Sequence, residues 1–260
     1  MATSSITKNF VISGQRQVEM FADAIEASAN DQTPSIKVNA TFLTDPKDIA
    51  KFMQKRKRMQ EVSKYTVFNI REYLNGNNEE LGEDDLRQVL SEFSCEKNPD
   101  VERFAKEQSI EFAKKQQSVT YLVFSTEDAE LVGYFAITIK PITVNAESFS
   151  NTIKKKLARV SELNEQNHTY NMAAYLIAQL GKNYNNGAND RITGEELLGL
   201  AIKQLQQLQY LAGGMVVFLE TLNEEKLLSF YQGKGFQQFD SRLSESASHE
   251  PHELIQLLKI

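Results

Sequence analysis

The sequence predicts an α+β chain whose larger part is a mixed, twisted sheet with flanking helices, preceded by a small α/β module. Three observations carry that prediction. Two runs dense in β-branched and aromatic residues, VTYLVFS (Val119–Ser125) and LVGYFAITIKPITV (Leu131–Val144), flank a polar turn through Glu127 and Asp128, as a hairpin does. Two apolar runs that lack strict alternation, AAYLIAQLG (Ala173–Gly181) and MVVFLET (Met215–Thr221), read as strands buried on both faces. Between them, Thr193–Tyr210 carries an apolar stripe at Leu197, Leu198, Ala201, Ile202, Leu205 and Leu208, the spacing of a helix laid on a sheet.

The remaining elements follow in order. Ile6–Ser13 reads as a short strand and Gln15–Ser28 as an amphipathic helix with Val18, Phe21, Ala22 and Ile25 on one face. After a break at Ala29–Ser35, Ile36–Leu43 reads as a second strand. Pro46 then starts a helix that carries Lys55, Arg56, Lys57 and Arg58. Residues 1–60 are thus expected to form a βαβα module, with residues 61–85 as a linker and 86–260 as the main domain. The polar, acidic stretch Asn75–Asp85 marks the hinge. Arg87–Phe93 predicts a strand, and Asp100–Lys115 a helix with Val101, Phe104, Ile110 and Phe112 in helical spacing. A polar, basic helix is expected over about Ser148–Asn164 and a short helix over Glu224–Gln232. Final strands are expected near Phe236–Leu243 and His252–Leu258.

Composition narrows the function classes. Of 260 residues, 41% are hydrophobic and 25% charged, and no apolar run approaches the ~18–20 residues a membrane span needs. No membrane association is expected, and MATSSITKNFVIS lacks the features of a secretory signal, so a cytoplasmic location is expected. The single cysteine, Cys95, excludes an internal disulfide framework and has no nearby histidine to activate it. His168, His249 and His252 have no metal-ligand spacing, so no metal is expected; no P-loop, G-x-S-x-G or G-x-G-x-x-G is present. A net charge of −6 argues against binding nucleic acid over the whole surface. A local patch remains open at Lys154, Lys155, Lys156 and Arg159, whose plainer reading is a solvated helix face.

From Arg87 to Ile260 the element order resembles the GNAT superfamily of N-acetyltransferases. The most specific piece is Ser229-Phe230-Tyr231-Gln232-Gly233-Lys234-Gly235-Phe236, which is similar to the family's late F-Y-x-x-x-G-F segment; LVGYFAI (Leu131–Ile137) is similar to its central strand. The resemblance implies acetyl-CoA as cofactor. Its pantetheine would pair with a strand edge at Gln179, Leu180, Gly181 and Lys182, where the strand splays from its neighbour. Its pyrophosphate would lie on the loop through Arg191, Thr193 and Gly194, where backbone N–H groups at a helix start bind anions. Arg191-Ile192-Thr193-Gly194 resembles the R-x-x-G half of the family's R/Q-x-x-G-x-G/A signature. The other half departs from it, because Glu196 stands where Gly or Ala is expected, with Glu195 beside it. Thr193-Gly194-Glu195-Glu196 has the T-x-x-E form of a capping box, which gives Glu196 a structural use; Lys182 and Arg191 are the cations expected to offset the two carboxylates.

Acetyl transfer needs an uncharged amine, a donor for the developing oxyanion and an acid for the departing thiolate. The resemblance makes Tyr231 that acid, and a phenol of pKa about 10 is protonated at neutral pH. A backbone N–H within Ala178–Leu180 would serve the oxyanion. No residue stands out as the base; Glu220 could act through a water or be a structural acid. The layout is similar to the toxins that acetylate the amino group of aminoacyl-tRNA, which would make Lys154, Lys155, Lys156 and Arg159 phosphate contacts, with Lys114 and Lys115 as further candidates. Three readings stay open: a tRNA-directed acetyltransferase, an acetyltransferase for a small amine or a protein, and a degenerate GNAT fold that serves as a binding module. A homodimer is an open assembly. The N-terminal strand and helix faintly resemble ribbon-helix-helix DNA-binding domains, which are common in the antitoxins paired with such enzymes, but the second strand does not belong to that fold.

Overall fold

The chain divides into two units, Met1–Val62 and Ser63–Ile260. The computed structural model describes residues 63–74, 82–244 and 252–260, all in the second unit. The expected βαβα module, its basic cluster at Lys55–Arg58, the stretch 75–81 and His249 lie outside the described residues.

One sheet organises this unit, in the order β1-β2-β3-β5-β6-β8-β7 with β4 paired to β5. Its strands are β1 Tyr65–Asn69, β2 Val119–Ser125, β3 Leu131–Asn145, β4 Leu163–Asn164, β5 Thr169–Lys182, β6 Val217–Leu222, β7 Gln237–Leu243 and β8 Glu253–Lys259. All neighbours are antiparallel except β5 and β6, which run parallel. Among the described residues seven helices flank them: α1 Arg71–Leu74, α2 Glu83–Ser91, α3 Pro99–Arg103, α4 Ser109–Lys114, α5 Asn151–Leu157, α6 Gly194–Ala212 and α7 Glu225–Gly233. A π-helical segment, Phe104–Gln108, joins α3 to α4.

The two faces of the sheet carry separate cores. On one face Tyr121, Phe135, Ile177, Val217 and Leu219 pack beneath Leu197, Leu198, Ala201 and Leu205 of α6. The alternate positions of β2 and β3, Leu122, Tyr134 and Ala136, meet α2 to α4 through Leu86, Leu90, Val101 and Ile110. Further along that second face, Val144, Met172 and Phe218 pack against Leu157 of α5.

The hairpin, α6, α7 and the C-terminal strand pair lie where their patterns place them. Four elements differ. The expected strand Arg87–Phe93 is instead the second half of helix α2, to Ser91, followed by its C-cap Glu92 and by Phe93: Leu86 and Leu90 are buried one helical turn apart, and Asp85 accepts the Gly82 N–H at 2.9 Å to start the helix. Strand β1 occupies part of the 61–85 stretch, pairing Tyr65 with Ser125 and Asn69 with Tyr121. The basic helix is shorter than expected, because Leu163–Asn164 leaves it to pair with Thr169 and Tyr170. Strand β5 also begins earlier than expected, and its first half alternates, with Tyr170, Met172 and Ala174 buried and Asn171 and Ala173 exposed.

Candidate active site

The sheet opens in its middle. Parallel pairing between β5 and β6 covers Tyr175 with Val217, Leu176 with Phe218 and Ile177 with Leu219, although β5 continues to Lys182 and β6 to Leu222. At the same level the β3–β5 register shifts: Ala136 faces Gln179 while Ile137 faces Ile177, so Ala178 is an extra residue. Such a bulge turns a strand locally and ends regular pairing. From Ala178 to Leu180, β5 therefore presents to the β6 side a backbone edge that its neighbour does not reach, and these three residues are partly exposed. Of the four residues the resemblance assigns to the pantetheine, Gln179 and Leu180 lie on this stretch, and Gly181 and Lys182 continue β5 beyond it. Gly181 is fixed by close packing, since a Cβ there would collide with Val101 and lie 3.3 Å from the Phe93 ring.

Helix α6 starts beside this opening. Thr193 is its N-cap: its hydroxyl accepts the Glu196 N–H at 3.1 Å, and Glu196 Oε2 accepts the Thr193 N–H at 2.8 Å. This is the capping box expected from T-x-x-E, and the Thr193 N–H bond is the main cause holding the Glu196 carboxyl at about 2. The expected cations do not face these carboxylates. Lys182 Nζ donates to the carbonyls of Asn189 and Ile192 at 2.6 and 2.9 Å, tying down the loop before the helix. Arg191 pairs with Asp128 and with Glu130 at the β2–β3 turn, and its carbonyl accepts the Tyr65 hydroxyl at 2.8 Å. The residues that do offset Glu195 and Glu196 are Lys234, 2.5 Å from Glu195, and Lys64, 3.0 Å from Glu196.

Tyr231 owes its place to the way α7 ends. Gly235 takes a left-handed φ of 85°, the Phe236 N–H reaches the Tyr231 carbonyl at 3.2 Å, and the Gly235 N–H reaches that of Gln232 at 2.9 Å. These are the two bonds of a Schellman stop, with the Tyr231 and Phe236 rings in edge contact at 6.0 Å as its apolar clasp. The F-Y-x-x-x-G-F spacing is thus a helix terminator that clamps the tyrosine against the core under α6. Burial pushes the Tyr231 phenol up from its ordinary value, and no hydrogen bond from its hydroxyl to another described residue is present. Its neighbour Phe230 lies 3.8 Å from the Cβ position at Gly194, so α7 touches the first residue of α6.

Glu220 lies on β6 past the last β5 pairing and on the opposite face from α6, as its alternation with Leu219 requires. Burial pushes its carboxyl up. Hydrogen bonds from Arg242, at 2.7 and 2.6 Å, and from Gln256, at 2.7 Å, outweigh that effect and hold it below its ordinary value. A carboxylate so paired is a structural acid and a poor proton acceptor. The same face carries α5, anchored by Ile153 and Leu157, with Lys154, Lys155 and Lys156 along it and Arg159 exposed just beyond. No ion pair joins any of these four to a described acid, whereas Lys114 is paired with Glu83 and Glu111, and Lys115 with Glu111. Among the described residues no cluster of His, Cys, Asp and Glu could hold a metal ion, and no helix is long and apolar enough to cross a membrane.

No family model and no curated protein sequence matches the chain. Among solved structures it is similar to AtaT complexed with acetyl-methionyl-tRNAfMet, at 14% identity over 74% of this chain and 93% of that one, with a TM-score of 0.48. A point variant of KacT is similar at 17% identity, 75% and 95% coverage and a TM-score of 0.48. AtaTR bound with acetyl-CoA follows at 15% identity, 75% and 92% coverage and a TM-score of 0.44. At scores below 0.5 the chemistry of the site rests on this chain's own geometry.

Sequence reading missed Lys64 and Lys234 at the start of α6. Lys64 is 132 residues from Glu196 in sequence, and no local pattern signals such a pair. Lys234 sat inside a quoted motif, but as one of its unspecified positions.

Proposed function

We propose that Ser63–Ile260 is an acetyl-CoA-dependent N-acetyltransferase of the GNAT type, acting on a primary amine. The observation that carries this reading is the opening between β5 and β6 past Ile177 and Leu219, with the Ala178 bulge at its apex. A free strand edge of this kind suits an amide-bearing chain, because its N–H and C=O groups can pair with the ligand's own. Acetyl-CoA has such a chain and supplies the acetyl group as a thioester. Backbone N–H groups at Ala178–Leu180 would stabilise the oxyanion. Tyr231, held protonated by burial on the α6–α7 side, would give its proton to the thiolate.

For the acceptor we favour the amino group of an aminoacyl-tRNA. Its support is the row of lysines on α5 that pair with no acid among the described residues, on the sheet face away from Tyr231. Met172, which packs with α5, is six residues from Ala178, about 20 Å along an extended strand. A phosphate backbone resting on α5 would thus lie within one short single-stranded reach of the opening. A small amine or a protein as acceptor remains the second reading, because the same opening would serve either.

Calorimetric titration with acetyl-CoA tests the donor. Micromolar binding, about −8 kcal/mol, supports the enzyme reading; none rejects it in favour of a binding module. For the acceptor, the salt dependence of tRNA binding is compared between the wild type and the Lys154→Gln, Lys155→Gln, Lys156→Gln variant. The expected result is a shallower slope in the variant, and an unchanged slope retires tRNA.

A further inference from the structure

We propose that Lys64 and Lys234 hold the pyrophosphate of the donor, and that Glu195 and Glu196 occupy these two ammonium groups until the donor arrives. The inference rests on the acetyl-CoA reading and deepens it. It starts from a conflict: two carboxylates stand in the first turn of α6, where a pyrophosphate would have to lie. Two phosphate charges beside two free carboxylates would repel one another.

Neither carboxylate is free. Lys234 reaches Glu195 from the turn after α7, and Lys64 reaches Glu196 from the residue before β1. The two lysines come from elements far apart in sequence and meet the same helical turn. Both are accessible, with 65% of the Lys64 side chain and 34% of the Lys234 side chain exposed. The other cations of this region cannot be released as cheaply. Lys182 closes the loop through two backbone carbonyls, and Arg191 is bound to Asp128 and Glu130 across the β2–β3 turn. Moving either would loosen the segment that positions α6.

An exchange resolves the conflict. The lysines leave the carboxylates for the phosphates, Glu195 turns to solvent on its 69% exposed side chain, and Glu196 keeps its bond to the Thr193 N–H. The ammonium groups change one anionic partner for another, so no charge is left buried without a counter-charge. The N–H groups of Gly194 and Glu195 complete the anion's contacts, because the capping box engages those of Thr193 and Glu196.

The test uses the full chain and two ligands, acetyl-CoA and S-acetyl-pantetheine, which keeps the thioester and amides but lacks the pyrophosphate. In the Lys64→Gln, Lys234→Gln variant the Kd for acetyl-CoA should rise about tenfold or more, with S-acetyl-pantetheine unchanged. In the Glu195→Gln, Glu196→Gln variant acetyl-CoA should bind several-fold more tightly; glutamine at 196 still fits a capping box, so the helix start is kept. Wild-type affinity in the lysine variant, or equal weakening of both ligands, overturns the assignment of the lysines. Unchanged affinity in the glutamine variant overturns the exchange. If the wild type binds acetyl-CoA and the lysine variant binds it equally, only this inference fails; if the wild type binds no acetyl-CoA, the acetyltransferase reading fails with it.

Discussion

Glu196 accepts the backbone N–H of Thr193 at 2.8 Å and so closes the first turn of α6 on itself. This bond makes stability depend on pH in a defined window. The Glu196 carboxyl drops from an ordinary 4.5 to about 2 in the folded chain. A depressed carboxyl stabilises the fold above its unfolded value, and that stabilisation is lost as pH falls through the window from about 4.5 to 2. The melting temperature of the wild type minus that of Glu196→Gln should be constant above about pH 5 and shrink below it. A difference that does not change with pH would mean that the charge contributes nothing.

Tyr231→Phe should leave the Kd for acetyl-CoA within about twofold while turnover falls by roughly 10² to 10⁴. Burial raises the phenol above its ordinary 10, so loss of its proton cannot limit activity at neutral pH. The alkaline decline of turnover assigned to Tyr231 should lie above pH 10. Equal losses in affinity and turnover would reduce Tyr231 to a packing residue at the end of α7.

Glu220→Gln separates a base from a brace. With Arg242 bonded twice to its carboxylate and Gln256 once, neutralising Glu220 should lower unfolding free energy by about 1–3 kcal/mol. The pH profile of turnover should keep its shape. If the acid limb of that profile disappears while the melting temperature holds, Glu220 is the base after all.

Much of the architecture was legible because the elements concerned follow local rules. The β2–β3 hairpin announces itself by composition, α6 by its stripe and its T-x-x-E cap, and α7 by a glycine that can take a φ of 85°. Strand β1 was not legible, since a run of five residues with only Tyr65 fully buried carries too little periodicity. The α2 segment misled because Arg87–Phe93 begins one residue after Leu86, so the one-turn spacing of Leu86 and Leu90 was cut at its start. Around the candidate site, the positions of the strand and of the helix end that carries Tyr231 could be read, but the charge pairing could not. Arg191 turns to Asp128 and Glu130 because the β2–β3 turn lies against the loop before α6, a proximity created by the sheet.

A sheet ordinarily offers unpaired backbone only along its two outermost strands, where any passing chain can find it. The Ala178 bulge places a third such edge indoors, walled by β6 and by the helix layer. What this edge offers is spelled in amides and carbonyls, which every residue type but proline carries in full. The side chains at 178, 179 and 180 can therefore drift in identity without altering what the edge presents, and a sequence free to wander in this way can keep its geometry long after its motif has faded.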